Sequence, residues 1–195
     1  MAETAYHAAS TTLREKPALA MKGFLVVTFV IGYEWFISGL VKVVRGGFPS
    51  GLAEELLRKA PAMAGWYGRF ITSAVIPNGV FAGYAIEIAE LLAGVALIVG
   101  PVVWLVAWDR VPDRVRSLLL LAMAVAAIGG VFLALNLHMA NAGSHPWLLP
   151  LDPNDEGIDL DSVLPALQLV IATVTIIVFR RLRTPALGTV TPRSA

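Results

Sequence analysis

Apolar residues run almost unbroken over 24–44, 80–106, 118–140 and 163–179, with polar segments between them. Each run is close to the roughly 20 residues that an α-helix needs to cross the bilayer hydrocarbon. At that depth no water satisfies the backbone, so a helix, which bonds its own amides and carbonyls, is the expected element. The pattern predicts an all-α fold: an integral membrane four-helix bundle, one domain over 1–195, with disordered tails at about 1–20 and 184–195. The first run is too long for a cleaved signal peptide and is read as a retained span.

Between spans one and two, 46–78 mixes Gly46, Gly47, Pro49 and Pro61 with Glu54, Glu55, Arg58 and Lys59. Such a segment cannot face lipid. Within it, GLAEELLRK sets Leu52, Leu56 and Leu57 against a charged face, which predicts a helix lying at the membrane interface. Trp66, Tyr67 and Arg69 suit the same depth. Pro77-Asn78-Gly79 marks a turn before span two. After span three, NAGSHPWLLPLDPNDEGIDLD carries five acids and no Lys or Arg.

Composition agrees with a membrane protein: 57% of residues are hydrophobic and 15% charged, and the mean hydropathy is +0.72. A net charge of +1 gives no reason to expect nucleic acid as a partner. With no cysteine, disulfides, iron–sulfur clusters and covalent haem attachment are excluded. Redox chemistry would need a borrowed cofactor. The basic residues Arg14, Lys16 and Lys22, then Arg110, Arg114 and Arg116, then Arg180, Arg181 and Arg183 predict both termini on the cytoplasmic side of the inner or plasma membrane. Arg45, Arg58, Lys59 and Arg69 would then lie outside, against the rule.

Charged residues at membrane depth are the candidates for function. Glu34 lies near the middle of span one, and Glu87 and Glu90 share one face of span two. Lys42 follows Glu34 by two helical turns, roughly 12 Å along the axis. An antiparallel pairing is expected to bring Glu34 to Glu90 at the centre and Lys42 to Glu87 one layer further out. Span three adds Asn136 and His138, the latter a proton carrier near neutral pH. A Glu–Lys pair can also simply lock two helices together. Gly32, Gly39, Gly83 and Gly94 are expected to permit close helix packing, and Trp104 and Trp108 to anchor at an interface. His138 and His145 do not make a metal site without further ligands, and no metal is expected. HExxH, phosphate-cradling and dinucleotide motifs are absent.

GYEWFISGLVKVV in span one, EIAELLAGVALIVG in span two and LNLHMANAGSHPW, into which span three runs, together resemble the DoxX/DoxD family of four-helix membrane proteins. The similar pieces are Gly39 and Lys42, then Glu90 with Gly94 and Gly100, then the 136–144 stretch. Family members include the small subunit of a thiosulfate:quinone oxidoreductase, which works with a second, separate subunit. The resemblance implies a quinone cofactor, with Glu90, Lys42 and His138 in catalytic roles and Glu34, Glu87, Asn136 and Trp66 around the ligand. Arg45, Arg58, Lys59 and Arg69 would attract the dianionic substrate, or equally lipid headgroups. A non-catalytic accessory subunit of a larger respiratory or oxidative complex is the alternative, and a small transporter the third.

Overall fold

The computed structural model describes residues 2–141 and 160–183, with side chains from 19 to 141 and from 163 to 183. The described helices are α1 (Ala2–Arg45), α2 (Phe48–Lys59), α3 (Gly65–Phe70), α4 (Gly79–Ala107), α5 (Asp113–Ala140) and α6 (Leu160–Arg183), and no strand occurs among the described residues. Four apolar stretches have membrane-crossing length: Leu19–Arg45, Gly65–Arg110, Asp113–Ala140 and Val163–Arg183. The four predicted spans fall within them. No more than 33% of any of these spans' most apolar windows is buried inside the chain. The outward faces, with Phe81, Leu92, Leu118, Val125 and Phe132 exposed, therefore suit lipid rather than water.

Two local expectations are corrected. Residues 2–20 continue α1 as helix where a disordered tail is expected; Ala2, Ala5, Ala8 and Ala9 favour helix, and extending an existing helix needs no new nucleus. The second tail, 184–195, lies outside the described residues, as does the acidic loop from 142 to 159. Leu57 is 60% exposed, so α2 buries Leu52 and Leu56 alone of its three leucines. The turn expected at Pro77-Asn78-Gly79 is a tight turn at Ile76–Asn78, preceded by a π-helical turn at Ile71–Val75, and it leads from α3 almost directly into α4.

The end of α1 is set by Gly46 and Gly47, both left-handed at φ 68° and 79°, a conformation side chains resist. The chain turns there and α2 begins, with Pro49 in its first turn. Leu52 and Leu56 of α2 pack with Met63, Tyr67, Ile71 and Met139 into a cluster that covers this end of the bundle. Tyr67 donates its hydroxyl proton to the backbone oxygen and Oδ1 of Asn136, at 3.0 and 3.1 Å, tying α3 to α5. Tyr67→Phe is expected to lower stability by about 1 kcal/mol, read as a lower midpoint of thermal unfolding in detergent; an unchanged midpoint would show that the bond adds nothing.

α1 packs chiefly on α4 and α5 on α6, the α4–α5 contact joins the two pairs, and α1 touches α6 only slightly. Glycines let α1 and α4 approach: a Cβ on Gly32 would come 2.7 Å from the Leu97 backbone, and one on Gly39 2.9 Å from that of Leu91. Gly94 meets the Phe36 backbone and Gly83 meets Pro49 in the same way, so all four glycines act as expected. The central core joins Ile31 and Trp35 of α1, Leu97 of α4, Met123, Ala127 and Ala134 of α5, and Leu164, Ile171 and Ala172 of α6.

Candidate functional site

The strongest polar feature is an ion pair between the first two spans. Lys42 Nζ donates to both carboxylate oxygens of Glu90, at 2.7 and 2.5 Å. Glu90 is completely buried, while the Lys42 side chain is 20% exposed. Ser38 Oγ accepts a further bond from Lys42 at 2.9 Å, and the Phe48 ring lies 5.1 Å from the ammonium. Attraction between opposite charges strengthens as water is removed, but so does the penalty for leaving either one alone.

This pairing corrects the expected layering. With Gly32 against Leu97 and Gly39 against Leu91, Glu34 lies level with about Val95, roughly 7 Å from Glu90 along the axis at 1.5 Å per residue. Side chains lean toward the N-terminus of their own helix. Lys42 therefore reaches back to the level of Gly39, where Glu90 stands, and does not meet Glu87. Glu34 is exposed on the outer face of α1 and makes no hydrogen bond or ion pair within the described chain. A carboxylate at that depth costs about 2.5–3.5 kcal/mol by insertion scales.

Glu87 is buried at 4% exposure, one turn from Glu90, and its Oε1 has no hydrogen-bond partner among the described residues. Two further buried side chains share that condition: Trp35 through Nε1, and Gln168 through both its amide nitrogen and oxygen. Gln168 lies on α6 between Leu164 and Ile171, against Gly130, and Trp35 belongs to the core that includes both of those α6 residues. Each had a visible signal. A tryptophan in mid-span is out of its usual interfacial place, and Gln168 is the sole side-chain amide in span four.

The remaining candidates lie apart from the ion pair. Asn136 gives its side chain to Tyr67 and to the Phe132 carbonyl, at 2.8 Å for the latter, so it is occupied in structure. His138, in the last turn of α5, is partly exposed at the end of the bundle that carries α2 and α3. Trp66 is 63% exposed and meets Tyr67 edge-on. Arg58 and Lys59 both pair with Glu55, and Lys59 also donates to Asn141 Oδ1 at 2.8 Å. Arg45 is exposed at the end of α1. Arg69 borders an open cleft of about 400 Å³ with Leu57, Ala60, Met63 and Thr72. Of the four cations expected to draw an anion, Arg58 and Lys59 are thus already partly neutralised. Among the described residues no group of three metal-ligating side chains occurs.

The fold and the site together define a multi-pass α-helical membrane protein with a buried ion pair joining its first two spans. No family model, curated protein or solved structure matches the chain.

Proposed function

We propose that the chain is the membrane subunit of a quinone-linked oxidoreductase of the DoxX/DoxD kind that its motifs resemble. One observation carries this reading: α1, α4 and α6 each bury a hydrogen-bonding group that finds no partner among the described residues, at Trp35, Glu87 and Gln168. An unsatisfied buried group costs about 1–3 kcal/mol, and a ligand that completes it relieves that cost. A bound quinone would supply two carbonyl acceptors and a sink for two electrons and two protons. Trp35 Nε1 and the Gln168 amide are donors suited to such carbonyls. The Lys42 ammonium, bonded to Glu90, is a proton donor, and His138 offers a relay toward the aqueous end of the bundle. Electrons would come through a second subunit, with thiosulfate the first donor to try, and the chain would sit in the plasma membrane with both termini cytoplasmic.

Purified protein in lipid nanodiscs should bind a short-chain ubiquinone saturably. Trp35→Phe and Gln168→Leu should each weaken binding about tenfold, the equivalent of one lost hydrogen bond, while Arg58→Ala leaves it unchanged. In the complete complex, Glu90→Gln should slow thiosulfate-driven quinone reduction. Absence of saturable binding, or binding indifferent to both core variants, would refute the reading. The Lys42–Glu90 bond between α1 and α4 also suits a second reading, a non-catalytic accessory subunit whose charges fix helix register. There, neutralising the pair would impair assembly and no quinone would bind.

A further inference from the structure

We infer that the outward face of α1 centred on Glu34 is a docking surface for a transmembrane helix of a different polypeptide, one that carries a lysine or arginine at matching depth. On this face Val27, Val30, Glu34, Ile37, Val41 and Val44 recur at alternating intervals of three and four residues, the spacing of a helix–helix seam. The four valines are 41–74% exposed and Glu34 is exposed between them. A β-branched seam interrupted by one polar residue is the pattern by which packed helices fix register.

Charge decides what covers it. Glu34 stands 11 residues before Arg45, about 16 Å at 1.5 Å per residue, inside a hydrocarbon layer about 30 Å thick. Its short side chain cannot reach either surface as a long lysine or arginine does. The outer faces of the other spans show the contrast: Ile88, Leu92 and Val99 on α4, Leu121 and Ile128 on α5, and Val170 on α6 are exposed and apolar. Those faces suit lipid; the α1 face needs a cation. Among the described residues a second copy of this chain does not supply one, because the nearest cation along α1, Lys42, lies roughly 12 Å from the depth of Glu34 and is held by Glu90. A two-fold contact through this seam would also set one Glu34 carboxylate against the other. The partner is therefore a heterologous helix. This goes beyond the quinone reading and does not need it.

The test is site-specific photocrosslinking of the full chain in its native membrane, with benzoylphenylalanine in place of Val30, Val41 or, as control, Val125 of α5. Positions 30 and 41 should give the same heterologous adduct, mapped to a transmembrane segment containing a lysine or arginine, and position 125 should not. Glu34→Lys should abolish the adduct, and changing the partner's basic residue to glutamate should restore it in that background. Glu34→Leu should also lose the adduct while keeping the thermal midpoint of the isolated protein, which separates lost docking from lost folding. Adducts with lipid alone, with a second copy, or with a segment lacking a basic residue would overturn the inference, as would adducts that persist in Glu34→Leu. Quinone binding in Glu34→Leu reports separately on the proposed function.

Discussion

Replacing Lys42 with methionine is expected to lower the stability of the folded bundle by about 3–5 kcal/mol, because it leaves a buried carboxylate without its counter-charge. Glu90 is completely buried and takes both of its ion-pair bonds from Lys42. The change also leaves Ser38 Oγ without its donor and removes the ammonium from the Phe48 ring. The double replacement Lys42→Met with Glu90→Leu should recover most of the loss, since exchanging a whole buried pair for apolar groups is often neutral or better. Unfolding by increasing dodecyl sulfate in mixed micelles reads both values. If the single and double variants lose the same amount, the pair is not coupled and the contact does not hold α1 to α4.

The second large effect is steric. Gly94→Leu should destabilise by about 1–3 kcal/mol or more, the range for overfilling a close-packed interior. A Cβ there would meet the backbone N and Cα of Phe36, and main chain in the middle of a helix cannot swing aside as a side chain can. The control is Gly129→Leu on α5, where a Cβ would meet nothing within 4 Å. It should be close to neutral, since an added leucine on an exposed apolar face meets lipid tails. The same unfolding titration separates the two; equal behaviour would mean that α1 and α4 are not in backbone contact at this level.

The spans were legible because length and apolarity alone define a crossing helix, and the packing glycines because small residues in such helices have few other uses. The ion pair was only half legible. Lys42 and Glu90 could be singled out as charges in an apolar setting, but their pairing depends on the relative height of two helices. Backbone rise places Glu34 beside Glu90 only if the helices are aligned by their ends. The glycine contacts set a different offset, and the lean of Lys42 toward Gly39 adds to it. Trp35 and Gln168 were missed because an uncharged polar group carries little penalty in a hydropathy reading, and its significance appears only once its missing partner can be seen. Asn136 was legible as polar, but its bond to Tyr67 was not, since that partner lies 69 residues away.

The thin contact between α1 and α6 has a consequence for the proposed quinone. Trp35 and Gln168 sit on those two helices, so under the proposed function a quinone received by them would arrive sideways, within the plane of the bilayer, without first dissolving in water. Its occupancy would then follow its mole fraction in the lipid, and diluting the aqueous phase at constant lipid content would leave that occupancy almost unchanged.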